Sequence, residues 1–298
     1  MRMSLCCVLL CMAGLSFGRQ IKSFKVEDME IIALQDRENY MPNKIFLGAL
    51  PEEINKAVPS GKSLASINAF VIKTKKHTYL IDTGMVTETL LLNLREAGIK
   101  PEDIDVVLIT HMHADHIGGL LWEGKAAFPK ATLHIAKDEY VYWRQANPNI
   151  KQIVNAYLKH LEFFVYGEDL PIVRVELSDM EKNMALMRKK ETTRIIEMTD
   201  DTFQGLDASG HTPGHTVFVN KKIIVFGDLL HSAALQFADP GICAQYDMDM
   251  PKAIASRKKF FEHAATTKKI VLGAHLPFPG IGYLVKNEDD RFEFRPLE

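Results

Sequence analysis

The chain is poor in the features that would settle its class by composition. It has four cysteines, and three of them (Cys6, Cys7, Cys11) fall within the first eleven residues, which leaves Cys243 alone in the remainder. A disulfide framework within the body of the protein is thereby excluded. Charge of one sign is lacking too: 36 basic against 38 acidic residues give a formal net charge of −2. No basic block offers the electrostatic footprint that a nucleic-acid partner requires. Outside the N-terminus no apolar run approaches the roughly 20 residues that span a bilayer. There is no Pro/Ser-rich linker, low-complexity tract or internal repeat. The 47% hydrophobic and 25% charged composition is that of an ordinary globular chain with a large core.

The first residues differ from the rest. Arg2 is the only charge before Arg19, the stretch from Leu5 to Leu15 is apolar, and Ser16-Phe17-Gly18 places small residues at the −3 and −1 positions of a cut after Gly18. This is the pattern of a secretory signal peptide over residues 1–18, followed by one domain over 19–298. The expectation is an exported, periplasmic or secreted protein, with no stable membrane insertion once the leader is gone. Lipid anchoring at Cys11 is disfavoured by the bulky Leu10 before it. Loss of Arg2 takes the formal charge from −2 to −3.

Along the body, strands are expected at Met29 to Leu34, Ile67 to Lys73, His77 to Ile81, Val106 to Thr110, Ala131 to Ile135, Val217 to Val219, Ile223 to Phe226, Ile270 to Leu272 and Arg291 to Arg295. Helical spacing covers Thr87 to Ala97, Asp138 to Trp143, Ile150 to Phe164 and Lys252 to Ala265. Residues 165–200 follow no clear period. Strands in runs with helices between some of them fit two packed sheets with helices outside, an α+β arrangement, better than a strict β-α-β alternation.

The chemistry is concentrated in His111-Met112-His113-Ala114-Asp115-His116, directly after the buried strand Val106 to Thr110. In extended chain, residues two apart point the same way, so His111 and His113 can share one metal. Asp115 and His116 come on the next turn of chain and can hold a second. With eleven histidines in 298 residues, three within six positions are not a chance grouping. Three later positions supply what the cluster lacks: Gly210-His211-Thr212-Pro213-Gly214-His215, Gly227-Asp228 at a strand tip, and Gly273-Ala274-His275 at another. Imidazole with carboxylate suits zinc, and also iron, manganese or cobalt.

In this order the motifs resemble the metallo-β-lactamase superfamily, with Asp82-Thr83-Gly84 similar to its early Asp-Thr-Gly element. The stretches Gly227 to Phe237 and Ala274 to Gly282 are similar to the methyl parathion hydrolase branch, which neighbours the acyl-homoserine lactonases. The resemblance implies an αββα sandwich of two mixed sheets with helices on the outer faces. It assigns His111, His113 and His215 to one metal ion, Asp115, His116 and His275 to the other, and Asp228 to the bridge between them. Asp82 would steady the histidine loop, and His211 would be structural. His231 stands where many lactonases carry a tyrosine near the substrate.

Two divalent ions, zinc foremost, would activate a hydroxide between them for attack on a lactone or carboxylic ester, and possible phosphotriester substrates follow from the same nucleophile. Asp115 or Asp228 would relay the proton. Tyr140, Tyr142, Trp143, Phe163, Phe164 and Phe278 are the aromatic candidates for the pocket wall. The resemblance allows a homodimer. The competing readings are a β-lactamase, a thioester hydrolase of the same fold, and a metal-binding protein without catalysis. Asp228 in place of a metal-ligating cysteine argues against the first, and the full set of seven ligand positions against the last.

Overall fold

The computed structural model describes residues 20–166, 201–289 and 291–298. The leader expected over residues 1–18, and all but the first two residues of the uncategorised stretch 165–200, lie outside the described residues.

The first sheet has seven strands. In spatial order they are β1 (Ile21–Val26), β2 (Met29–Pro42), β4 (Lys62–Lys73), β5 (Thr78–Ile81), β6 (Val106–Leu108), β9 (Thr132–Ala136) and β10 (Leu161–Phe164). The second has six: β11 (Gln204–Asp207), β12 (Thr216–Val219), β13 (Ile223–Gly227), β15 (Ile270–Gly273), β16 (Ile281–Lys286) and β17 (Phe292–Pro296). Two short ladders complete the strands: β3 (Phe46–Leu47) with β14 (Cys243–Ala244), and β7 (Leu121–Trp122) with β8 (Lys125–Ala126). Both large sheets mix parallel and antiparallel pairs; β5 with β6 and β13 with β15 are parallel.

Period-two alternation along β2 shows how the layers arise. Ile31 and Ala33 face the second sheet, where they join Phe70, Ile72, Val225 and Leu272 in the central core. Ile32 and Leu34 point the other way, into a core shared with Leu90 and Leu94 of α2 (Thr87–Glu96). Ile153, Val154 and Tyr157, from the helix Ile150–Tyr157, close the same layer. On the far side of the second sheet, Val219, Ile224 and Phe226 pack against Phe260 and Phe261 of the long helix Met250–Thr267. Helix, sheet, sheet, helix is the expected sandwich. Among the described residues no helix is long and apolar enough to cross a membrane.

Two expectations are corrected. The helical stretch expected over Ile150 to Phe164 ends at Tyr157, and Leu161–Phe164 is an edge strand paired parallel to β9. Leu161 keeps helical spacing with Tyr157, but Phe163 and Phe164 are both buried, which a pleated edge on a packed sheet provides. The strand expected at Met29 to Leu34 runs on to Pro42, paired with β4 down to Lys62 across a register shift between Gln35 and Arg37. The bulged Asp36 turns out of the ladder, and its Oδ2 accepts from the Met85 backbone N–H at 3.0 Å, which pins the loop after Asp82. The outer half of this hairpin, beyond the bulge, forms one wall of the cavity described below.

Four strand ends converge at one edge of the sandwich. Asp82 follows β5, His111 comes three residues after β6, Asp228 follows β13 and His275 comes two residues after β15. These parallel strands all deliver their carboxyl ends to the same place, the usual location for a site in such sheets.

Candidate metal centre

The centre is built around one buried carboxylate. Asp228 Oδ2 lies 3.2 Å from Nε2 of each of His211, His231 and His275, and 3.5 Å from His111 Nε2. Its Oδ1 lies 3.1 Å from His116 Nε2. Asp115 reaches in from the rim, its Oδ2 being 3.5 Å from His275 Nε2 and its Oδ1 3.8 Å from His116 Nε2. Three overlapping groups could each hold an ion: His111, His113, His211 and Asp228; Asp115, His116 and His275; and Asp228, His231 and His275.

Several of the imidazoles are aimed by what their other nitrogen touches. His116 Nδ1 donates to Asp82 Oδ2 at 2.8 Å, and Asp82 also accepts from the Thr110 N–H and hydroxyl, both at 2.8 Å. The expected steadying role of Asp82 thus has a defined partner. His275 Nδ1 donates to the Ser66 carbonyl at 2.8 Å, and Asn68 ties down the same loop through the Gly273 and Leu276 carbonyls. His211 Nδ1 donates to Asp247 Oδ1 at 2.9 Å. His111 Nε2, His113 Nδ1 and His211 Nε2 then face one another at 2.9 and 3.0 Å. Ring nitrogens brought this close need a proton or a cation between them, and the donor set fits a divalent ion.

His215 was expected among the ligands and His211 in a structural part; the structure brings His211, and not His215, into the group that could hold an ion with His111, His113 and Asp228. Both nitrogens of His215 are spent on the backbone: Nε2 accepts from the Asp228 N–H at 2.9 Å and Nδ1 donates to the Ala208 carbonyl at 3.2 Å. His215 therefore props the bridging residue from behind. The other six expected positions, His111, His113, Asp115, His116, Asp228 and His275, do converge, and His231 joins them.

The electrostatics follow from burial and from Asp228. Burial, helped by the charge of His116, holds His111 well below the usual imidazole range. Burial and the charge of His211 lower His113 to about 4 and His215 to about 3. Burial opposes charge on His211 as well, but its bonds to Asp228 and Asp247 win and raise it to about 9. His116 and His275 are likewise raised against burial, chiefly by Asp228. Burial would raise Asp228, yet His116, His275 and His111 hold it well below the carboxylate range. The Asp228 carboxylate is thus held ionised among the imidazoles, a setting suited to a cation.

Sequence reasoning missed Glu139. It is buried in the first turn of the helix Lys137–Ala146, where Oε1 accepts from the Met112 N–H at 2.8 Å and Trp143 Nε1 at 2.6 Å. Oε2 accepts from the Thr212 hydroxyl at 2.8 Å and the Gly214 N–H at 2.9 Å. One side chain thus ties the His111–His113 loop to the His211 turn. Gly214 is glycine for this reason: a Cβ there would stand 2.3 Å from the Glu139 nitrogen.

Gly227 makes the same kind of demand. Its φ of +55° is left-handed, and a Cβ would lie 2.6 Å from His215 Nε2. Gly227→Ala is expected to cost about 1–3 kcal/mol in backbone strain alone. It should also lower the zinc-induced rise in melting temperature, because Asp228 moves with its neighbour; melts with and without zinc measure both effects.

A cavity of about 330 Å³ opens onto the cluster between Tyr40, Met41, Asp115, His231 and Tyr246. None of the six aromatic residues expected in its wall lines it. Tyr140 stacks on Phe163 at 4.4 Å, Phe163 and Phe164 are core residues, and Phe278 packs against the central core. Trp143 stands edge-on behind His113 at 5.2 Å, and Tyr142 meets Trp143. Helix α4 (Lys137–Ala146), which carries Tyr140, Tyr142 and Trp143, therefore supports the site from outside. The mouth aromatics come from the outer half of β2 and from the loop before Asp247.

The solved structure of the hydrolase AbOPH, described as in the beta lactamase superfamily, superposes with a TM-score of 0.76 at 26% identity over 93% of this chain and 97% of that one. AidC, a dizinc quorum-quenching lactonase solved with a product, N-hexanoyl-L-homoserine, gives 0.75 at 27% identity over 94% and 98%. Among curated proteins the likeness is local. The exodeoxyribonuclease WalJ of Streptococcus pneumoniae is 43% identical over 56 residues, 19% of this chain and 21% of WalJ. The ribonuclease Z of Bacillus thuringiensis is 32% identical over 77 residues, 26% of this chain and 22% of that enzyme. The chain thus spans about a fifth of the length of these curated relatives. The family model for the metallo-beta-lactamase superfamily matches residues 64–275, from β4 to the last histidine of the centre, and the chain belongs to that superfamily.

Proposed function

We propose that the protein is a two-metal hydrolase of small lactones or carboxylic esters, with phosphotriesters as further substrates. The observation that carries this reading is the convergence of five imidazoles on the two oxygens of Asp228 at the floor of a 330 Å³ cavity. His111, His113 and His211 would hold one ion, Asp115, His116 and His275 the other, and Asp228 would serve both. Bound there, divalent ions supply Lewis acidity and a hydrolytic water ionised near neutral pH.

The chain's own groups divide the remaining work. Asp228 has both oxygens committed to imidazoles, so it fixes the centre. Asp115 is the carboxylate with access to the cavity, its side chain 22% exposed, and it holds the proton released as water adds to the acyl carbon. The same proton can pass to the departing alkoxide oxygen, which leaves an alcohol and a carboxylic acid that then ionises to solvent. Tyr40 and Tyr246 line the mouth, where they would meet the substrate. The small cavity and the near-balanced formal charge of the chain favour a small neutral ester over a polynucleotide, and the likeness to a dizinc lactonase points the same way.

The test is a metal count on the purified protein with a panel of lactones, aryl esters and a phosphotriester, with and without chelator. About two metals per chain and chelator-sensitive turnover are expected. No metal after reloading sinks the proposal. His211→Ala should weaken metal binding and lower turnover together, whereas His215→Gln should keep the metal count near two at reduced thermal stability. The reverse pattern would restore the ligand role to His215.

A further inference from the structure

Arg257 is a fully buried guanidinium on the inner face of the helix Met250–Thr267. Neighbouring buried positions of that helix are apolar, Phe260 and Phe261 among them. A buried charge costs several kcal/mol to desolvate, so packing alone does not account for it. Its partners do. Nε donates to the Leu229 carbonyl, Nη1 to the carbonyls of Pro240 (3.0 Å) and Ile242 (2.8 Å), and Nη2 to Asp247 Oδ2 (3.1 Å). All four acceptors belong to one excursion of chain that leaves the centre just after Asp228 and returns to it at Asp247.

Asp247 is buried as well, and its two oxygens face different ways. Oδ2 accepts from Arg257 and from the Ala244 N–H at 3.1 Å, which leaves Oδ1 to accept from His211 Nδ1 at 2.9 Å. With Nδ1 so occupied, Nε2 is the nitrogen that faces His113 and Asp228.

We propose that Arg257 and Asp247 form a positioning unit that fixes the tautomer and aim of His211. Retention of the ion at the His111, His113 and His211 group is then governed from a helix that contributes no ligand. This rests on the metal-centre reading above. A staple that merely held the 229–247 excursion would lower stability when cut but would not act through His211.

The experiment separates the two. Zinc affinity is measured by chelator competition for the wild type, Asp247→Asn and Arg257→Lys, each also in a His211→Ala background, with circular dichroism of the metal-free proteins as the folding control. Asp247→Asn is expected to weaken the affected ion by about 10–100-fold, the usual effect of losing such a partner. Arg257→Lys keeps the charge but cannot span four acceptors, and it should weaken the ion by less. Both effects should vanish once His211 is alanine. Should neither variant fold, the zinc-loaded wild type still decides: nitrogen-15 spectra must show His211 carrying its proton on Nδ1. A His211 proton on Nε2, unchanged affinity in the variants, or equal losses with and without His211 overturns the inference. A wild type that binds no zinc overturns the metal centre itself.

Discussion

Asp228→Asn should lose at least about a thousandfold in ester turnover and retain at most one metal per chain. Among the described residues this carboxylate faces both proposed ligand sets, through Oδ1 to His116 and through Oδ2 to His111, His211 and His275. An amide keeps the shape and removes the charge. Its NH2 must face either His116 or the imidazole cluster, and an N–H directed at either position displaces a cation. Leaving buried charges without their partner costs about 3–5 kcal/mol, and 4 kcal/mol is close to a thousandfold in rate. Elemental analysis and single-substrate kinetics on the same preparation provide the check. Wild-type turnover by a variant that holds one ion would show that the bridge is dispensable.

Glu139→Gln should be the most damaging change outside the ligands. The carboxylate accepts four hydrogen bonds, three of them from N–H donors that cannot turn away: Met112, Trp143 and Gly214. The Thr212 hydroxyl can rotate, but whichever way the glutamine amide is placed, its NH2 confronts at least one of those N–H groups. An unpaired buried donor costs about 1–3 kcal/mol, and the surviving bonds lose their charge assistance. A total near 3 kcal/mol corresponds to a fall in melting temperature of about 5–10 °C. Because the bonds join the His111–His113 loop to the His211 turn, metal affinity should fall with stability. Glu139→Asp keeps the charge but is one methylene short, and it tests whether reach or charge matters. A glutamine variant with unchanged melting and unchanged zinc affinity would remove Glu139 from the site's support.

What could be read from the amino-acid order was the chemistry that is local in the chain. His111, His113, Asp115 and His116 announce themselves because six consecutive residues carry them, and the buried strand before them shows where they lie. Two packed sheets with helices outside followed from runs of strands with helical segments between, and the αββα sandwich from the family resemblance. The choice between His211 and His215 was not legible. Both sit in one six-residue turn, and what separates them is their neighbours: Asp247 lies 36 positions beyond His211, while the groups that occupy His215 are backbone atoms of Ala208 and Asp228. The mouth was hidden for a related reason. Tyr40 is a single half-exposed residue beyond a bulge and Tyr246 a single loop residue, so neither belongs to a period that a pattern could detect. The aromatic-rich helix Lys137–Ala146 drew attention instead, and its role is to present Glu139. Phe163 and Phe164 show the opposite limit, where sheet pairing with β9 overrode a helical spacing that continued from Tyr157.

The division of the ligands between the sheets has a consequence for biogenesis. His111, His113, Asp115 and His116 are made before His211, Asp228 and His275, which follow them by 95 residues or more. A nascent chain exposes the first four side chains long before the others exist, so it holds only a weak half-site for any ion it meets. The complete cage forms when the central core closes and brings Ser66 and Asn68 of β4 against the loop of His275. On the proposed metal-centre reading, ion capture would be a late step of maturation, and the centre would tie an earlier part of the chain to a later one.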